Sequence, residues 1–499
     1  MRRFCLSILF AAALATGTAC SQGTSGSDDV LDAFSDATSE VTLDDTVEAD
    51  AALNDAQDDT LHQDSLSQDL AADIGHDDSH ASDATVTPPI EVIGHFKYDF
   101  VSTATSQMDS FLTVNDTDRS AVAVNTCNTM GFVFVDRFVD NTFSASLVLS
   151  EINLESPPAI DDLVPRRVLL TRTDATAAPA INAMLAYDDC SPMVFVQTET
   201  GWDFAVLGDS APDWTPVDAQ NTYSDIEGLG ARQGRDGVIH LAFRARPSGG
   251  TMRFFDAAFN GTGFDITSYT SPDTAMRTAV DVWFDADGLP VIGYVKVGTE
   301  GDEFWVASRT SSDEWKLQQV KGVAPSDLGV SFAIGSYGRE GLAWVSAVAS
   351  NEGILLSAAL KYTYRDTDNL FKTETVQVDN DGYRGSNTRF TGGRPILTID
   401  LSGRPHIIYS DIAVRIVGET QVVTHGQIRY AWRRGGTWNQ QTIFRQDSPD
   451  GEATPVAGGR FMAVNADGTL AGIAATAIVT TNDSNASIDT MGWTVSNVK

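Results

Sequence analysis

Residues 280–295 read VDVWFDADGLPVIGYV. An apolar run rich in β-branched and aromatic residues meets a tight Asp-Gly turn, and a second apolar run follows. That is the pattern of an antiparallel hairpin. The pattern recurs as AVAVNTCNTMGFVFV (121–135), NAMLAYDDCSPMVFV (182–196), GLGARQGRDGVIHLAF (228–243), FAIGSYGREGLAWVSAV (332–348), LTIDLSGRPHIIYS (397–410) and MAVNADGTLAGIAATA (462–477). The seven turns centre near 127, 189, 236, 287, 338, 402 and 467, so successive spacings are 62, 47, 51, 51, 64 and 65 residues. Such a period holds four short strands with their connections.

The second half of each unit agrees. EFWVASRT (303–310) is followed by EWKLQQV (314–320), and TMRFFDAAF (251–259) by TGFDITSY (262–269). ALKYTYRD (359–366) precedes LFKTETVQV (370–378), and QIRYAWRR (427–434) precedes TWNQQTIF (437–444). No long stretch carries apolar residues at helical spacing. The expected fold over 90–499 is therefore all-β: a β-propeller of four-stranded blades, seven favoured, with six or eight left open. The last copy is one strand short, since only SIDTMGWTVSNV (487–498) follows its hairpin. EVIGHFKYDFVS (91–102) stands unassigned at the other end and is expected to supply the missing outer strand, closing the ring.

Upstream of the repeats the texture is different. Arg2 and Arg3 precede the apolar run LSILFAAALA (6–15), the layout of a secretory signal peptide over 1–19. Residues 20–89 form the next segment, and 21–90 hold 18 Asp or Glu with no Lys or Arg. So charged and apolar-poor a stretch cannot offset its own ordering entropy and is expected to be a disordered, extended tether. His76 and His80 lie in it as solvated polar residues.

The 499-residue chain carries a net charge of −35; the body after residue 90 keeps 50 acids against 31 bases, a net of −19. Nucleic-acid backbones need a cationic face, so they are excluded as main partners. Charge-driven docking on anionic lipid is excluded on the same ground.

Two resemblances to known families follow from short motifs. Gly17-Thr18-Ala19-Cys20 resembles the lipobox of bacterial lipoproteins, although Gly17 stands where that family usually has Leu. The resemblance implies cleavage before Cys20, acylation of its thiol and anchorage through lipid; the chain itself is expected to be a monomer. Ser21, not Asp, then implies the outer membrane, on its periplasmic side or at the cell surface; free secretion is the alternative. SSDEW (311–315) and GGTW (435–438) resemble degenerate copies of the Asp-box turn, with GTGF (261–264) and TGW (200–202) as weaker echoes. That hairpin lies between the last two strands of each blade in sialidase-like, or BNR-repeat, propellers.

Only Cys127 and Cys190 fall within the repeats, at the equivalent turn of the first two copies. Equivalent turns of adjacent blades are neighbours, and an exported protein meets oxidising conditions. A Cys127–Cys190 disulfide is expected, with two free thiols as the alternative.

The sialidase-like resemblance implies arginines on a substrate carboxylate and a Tyr–Glu nucleophile pair. Arg244, Arg246, Arg389 and Arg394 are the candidates for ligand contact, with Tyr409 and Tyr430 as partners. The Arg-Ile-Pro that marks the family near the start of its fold is missing. Gly-x-Ser-x-Gly, His-Glu-x-x-His and phosphate-cradling motifs are missing too. His240 and His406 occupy matching places early in their second strands, which points to blade packing. Asp379 and Asp381 in DNDG, and Asp285 and Asp287 in FDADG, offer oxygens to Ca²⁺, but neither continues as an EF-hand, and ordinary turn chemistry accounts for both. No other cofactor is implied. The reading is a displayed propeller that binds a protein or glycan without catalysis; a sialidase-like glycoside hydrolase is the alternative.

Overall fold

The structure is a computed structural model. It describes residues 122–124, 127–138, 143–156, 166–174 and 181–497, apart from short stretches at 274, 299–300, 311–313, 326–328, 336, 350–354, 367, 369, 379–386, 418–419, 448–452, 465–469 and 482–485. The signal peptide expected at 1–19, Cys20, the tether expected at 20–89 and the strand expected at 91–102 lie outside these residues.

Among the described residues every regular element is a strand. Sheet one holds β1 (Val122–Val124), β2 (Thr129–Phe138), β3 (Phe143–Asn153) and β4 (Arg166–Asp174). Sheet two holds β5 (Ala183–Asp188), β6 (Ser191–Gln197), β7 (Trp202–Val206) and β8 (Thr215–Pro216). Sheet three holds β9 (Tyr223–Gln233), β10 (Ile239–Pro247), β11 (Arg253–Phe259) and β12 (Phe264–Thr270). Sheet four holds β13 (Met276–Phe284), β14 (Pro290–Val297), β15 (Asp302–Arg309) and β16 (Trp315–Gln319). Sheet five holds β17 (Val330–Ile334), β18 (Glu340–Ala349), β19 (Leu355–Arg365) and β20 (Phe371–Val378). Sheet six holds β21 (Asn387–Ile399), β22 (Pro405–Val417), β23 (Thr420–Arg434) and β24 (Thr437–Asp447). Sheet seven holds β25 (Ala453–Val464), β26 (Leu470–Thr481) and β27 (Ala486–Asn497).

Every sheet is an antiparallel meander in chain order. The first strands of successive sheets, β1, β5, β9, β13, β17, β21 and β25, are neighbours in turn, and β25 lies beside β1. That closed circuit of first strands is a β-propeller of seven blades. Blade seven has three strands among the described residues, and the segment 91–102 expected to complete it lies outside them.

Blades three, four and five are each buried against both neighbours, which is why their inner strands read as nearly continuous apolar runs. Phe254 and Phe255 make the point. Neighbouring side chains on a strand point to opposite faces. Phe255 joins Met184, Phe195 and Phe204 of blade two, while Phe254 joins Phe284 and Tyr294 of blade four. Blades four and five share Phe304, Val306, Phe332 and Trp344; blades five and six share Leu360, Tyr362, Ile407 and Tyr409. Full burial of one such side chain contributes about 1.5–3 kcal/mol.

The first-to-second-strand turns repeat one geometry. Asp285 N donates to Leu289 O and Asp400 N to Arg404 O, at 3.0 Å each. Gly288 and Gly403 occupy the same place in these turns, at φ 72° and 80°. A side chain there would be strained, so glycine is required.

The hairpins of SSDEW, GGTW and GTGF do join the third and fourth strands of blades four, six and three, although 311–313 are outside the described residues. TGW (200–202) does not. It ends the turn between β6 and β7, the second and third strands of blade two. The short motif carries no blade register of its own, so the sequence could not distinguish the two hairpins.

Candidate ligand-binding site

The arginine candidates are placed by strand register. Arg244 lies directly opposite Glu227 on the β9–β10 ladder, and its Nη1 donates to Glu227 Oε2 at 3.1 Å. Arg246 Nε donates to Asp225 Oδ2 at 2.9 Å. Asp225 itself has φ 52°, where the ladder is irregular. Both guanidiniums are thus engaged by acids of their own blade. Arg389 and Arg394 are on β21 with side chains outside the described residues.

The two candidate tyrosines are in the core instead. Tyr409 and Tyr430 are fully buried. The Tyr409 hydroxyl donates to Gln377 Oε1 and lies 3.3 Å from Gln440 Oε1, and the Tyr430 hydroxyl sits 2.6 Å from His406 Nδ1. Neither reaches a surface opening. The strand alternation that puts them inside is visible in sequence, but which face of an all-buried blade meets solvent is not.

The histidines serve packing, as their matching positions suggested. His240 lies between Asp256 (Nδ1, 2.9 Å) and Asp236 (Nε2, 3.1 Å) and stacks on Phe284 of the next blade, centroids 3.9 Å apart. Burial alone would lower its pKa; the Asp256 and Asp236 carboxylates outweigh that and raise it. His406 is wholly buried against Asp400 and Tyr430. There burial dominates and the pKa falls, the Asp400 carboxylate notwithstanding. The side chain of His425 is outside the described residues.

Asp285 Oδ1 accepts the backbone N–H groups of Asp287 and Leu289, both at 2.9 Å, which is turn chemistry. Asp379 and Asp381 lie outside the described residues, among which no group of acids, histidines and cysteines is arranged to hold a metal. Cys127 and Cys190 are joined by a disulfide, Cα atoms 5.6 Å apart across 63 residues of sequence. It ties the β1–β2 turn of blade one to the β5–β6 turn of blade two.

The third-to-fourth-strand hairpins show a pairing that sequence reading missed. In blades four, five and six an arginine on the third strand stands opposite an aromatic residue on the fourth: Arg309 and Trp315, Arg365 and Phe371, Arg433 and Trp438. Arg309 lies 5.3 Å over the Trp315 ring and Arg365 lies 4.8 Å over Phe371. The signal was present as S-R-T, Y-R-D and W-R-R before each turn, but its meaning depends on register.

Between blades four and five these hairpins border a cleft of about 290 Å³. Val306, Ser308, Lys316 and Gln318 line it from blade four, and Gly338, Glu340 and Arg365 from blade five. Glu340 is buried and takes the Arg365 Nε hydrogen; Arg365 Nη2 donates to Gln318 Oε1 at 2.7 Å. Lys316 is exposed. Polar groups dominate the cleft wall, so it suits a hydrophilic ligand rather than an apolar one.

No protein-family model matches this chain, and no curated protein does. Solved structures resemble it at low identity. Trypanosoma rangeli sialidase is 9% identical, with a TM-score of 0.36 over 82% of this chain and 58% of that one. This chain therefore matches little more than half of that sialidase's length. AofleA from Arthrobotrys oligospora is 9% identical, with a TM-score of 0.33 over 68% of this chain and 92% of that one. The WD40 domain of SCAP from fission yeast is 10% identical, with a TM-score of 0.34 over 78% of this chain and 98% of that one.

Proposed function

We propose that this chain is an exported lipoprotein, anchored through an acylated Cys20, whose propeller binds a protein or glycan ligand without catalysis. The observation that carries the non-catalytic reading is the state of the candidate catalytic groups. Tyr409 and Tyr430 are buried with their hydroxyls bonded inside the fold. Arg244 and Arg246 are held by Glu227 and Asp225. A glycosidase of the sialidase kind needs a tyrosine and arginines that face substrate. The cleft between blades four and five supports binding, because its Lys316 and Ser308 lie at an opening rather than in the core.

The test is a glycan array beside a panel of fluorogenic glycosides, both on the full chain. The expected result is saturable binding and no release of fluorophore. Turnover of any glycoside would overturn the reading in favour of a hydrolase.

A further inference from the structure

We propose that the cleft between blades four and five is a socket for a tyrosine side chain, presented with a carboxylate close by on a segment of a partner protein. The proposal rests on the binding role given above and names the partner chemistry for that cleft. Two successive seams of the ring carry it: the packed seam between blades five and six, and the cleft itself.

Strand register equates the two seams position by position. Arg309 pairs with Trp315 and Arg365 with Phe371 at the ends of their ladders. The turns beyond repeat one bond, Thr310 N to Glu314 O and Asp366 N to Leu370 O, at 2.9 Å each. Ser308 on β15 therefore stands where Tyr364 stands on β19, and Val306 where Tyr362 stands. Gln318 matches Glu374, Lys316 matches Lys372, and Thr310 matches Asp366. In the seam between blades five and six the Tyr364 ring is held by its neighbours. Arg433 of blade six lies 5.4 Å from it, and Tyr362 stacks on it with centroids 5.5 Å apart. Its hydroxyl donates to Glu374 Oε1 at 3.2 Å, an oxygen that also accepts from Arg433 Nη2 at 2.6 Å. Asp366, two residues after Tyr364, is the ion-pair partner of Lys372.

The cleft between blades four and five repeats the groups that hold that ring, without the ring. Arg365 of blade five takes the place of Arg433, and its Nη2 donates to Gln318 Oε1 at 2.7 Å as Arg433 donates to Glu374. Buried Glu340 fixes the Arg365 Nε, at a register position where blades four and six carry Pro290 and Pro405. With Val306 and Ser308 in place of two tyrosines, a cavity of about 290 Å³ remains, at the small end of ligand sites and enough for one aromatic side chain. Lys316 lines it and has no ion pair among the described residues, Thr310 standing where blade five has Asp366. A tyrosine entering from solvent would meet the same chemistry: the Arg365 guanidinium against its ring, Gln318 Oε1 for its hydroxyl, and Lys316 for a carboxylate beside it. Tyrosine is also among the side chains that anchor protein interfaces, burying a ring while its hydroxyl finds a partner.

The experiment titrates the full chain with three acetylated peptide amides, Tyr-Ser-Asp, Ala-Ser-Asp and Tyr-Ser-Asn, by NMR or calorimetry. Tyr-Ser-Asp is expected to bind about tenfold tighter than Ala-Ser-Asp and about threefold tighter than Tyr-Ser-Asn. Ser308→Tyr puts blade four's own ring into the socket and should abolish binding of Tyr-Ser-Asp, with the melting temperature unchanged or raised. Lys316→Gln, at an exposed side chain, should bring the affinity for Tyr-Ser-Asp down to that for Tyr-Ser-Asn, a readout independent of whether Ser308→Tyr folds. Absence of Tyr-Ser-Asp binding, equal binding of Ala-Ser-Asp, or full affinity in both variants would overturn the proposal. So would a glycan that the wild-type chain retains and Ser308→Tyr loses while no peptide binds, which assigns the cleft to a sugar. Each of these results leaves the broader binding role standing, whereas hydrolysis of glycosides removes that role itself.

Discussion

The indole Nε1 of Trp315, on β16 of blade four, donates to the backbone oxygen of Thr270 at the end of β12 of blade three, 3.0 Å away. Arg309 lies against both Trp315 and Tyr269, 5.3 and 4.8 Å from the ring centroids, and the two rings meet edge to face. One fourth-strand aromatic thus seals the seam to the preceding blade. Trp438 does the same between blades six and five, through Glu374 Oε2 at 3.2 Å. Trp315→Ala should cost about 2 kcal/mol, from lost half-buried area and one hydrogen bond. Trp315→Phe should recover part of it. Urea denaturation checks this, and an Ala variant with an unchanged midpoint would show that the seam does not depend on the indole.

The Cys127–Cys190 bridge closes a long loop between blades one and two. Chain entropy alone assigns it about 4 kcal/mol. Reduction, or the Cys127→Ser/Cys190→Ser double variant, should lower the denaturation midpoint accordingly. Intact mass should rise by about 2 Da on reduction of this bridge; a protein whose mass and midpoint ignore reductant does not carry the bridge.

His240 and His406 should respond oppositely to pH. The folded pKa of His240 is raised, so its contribution is fully present below the unfolded value and is lost as pH rises through the folded one. The folded pKa of His406 is lowered, so the unfolded chain takes the proton first, and stability falls as pH drops below the ordinary histidine value. The destabilisation caused by His240→Gln should therefore grow from pH 8 to pH 6. That caused by His406→Gln should shrink over pH 7 to 5. Urea midpoints at each pH measure both, and parallel pH profiles for the two variants would refute the assignment.

Cys20 is the proposed anchor. Wild-type protein should partition with membranes, and Cys20→Ala should move it to the soluble fraction, since stable anchoring needs the several acyl chains of a mature lipoprotein. An Ala variant that still pellets with membranes rules the anchor out.

Blade seven has three strands among the described residues, and EVIGHFKYDFVS (91–102) is proposed as its fourth. Deleting 91–102 should lower the melting temperature by several degrees, because it exposes an unpaired sheet edge. Deleting 21–89 should leave melting unchanged. If the first deletion is silent, the ring closes by another route.

The repeats were legible because blade chemistry is local. Alternating apolar residues and Asp-Gly turns such as DADG (285–288) depend only on neighbours in sequence, so the four-stranded blades and the equivalence of Cys127 with Cys190 could be read from the chain, while the count of seven, favoured over six or eight, was decided by the circuit of first strands. The acidic, apolar-poor character of 21–90 and the basic-then-apolar layout of residues 2–15 are equally local. The site was not legible, because it depends on register and on which blade stands beside which. Phe254 and Phe255 look alike in sequence and face different blades. Tyr409 and Tyr430 read as site candidates and are buried, since a strand covered on both faces has no polar-out alternation to mark the side that meets solvent. Arg244 and Arg246 read as candidates for ligand contact and are paired, because the ladder sets Glu227 and Asp225 within reach. Lys316, Arg235 and Gly338 come from three blades and share no motif. Only the packing of successive blades brings Lys316 and Gly338 to one cleft and sets Arg235 against Gly338, because those contacts join residues far apart in the chain.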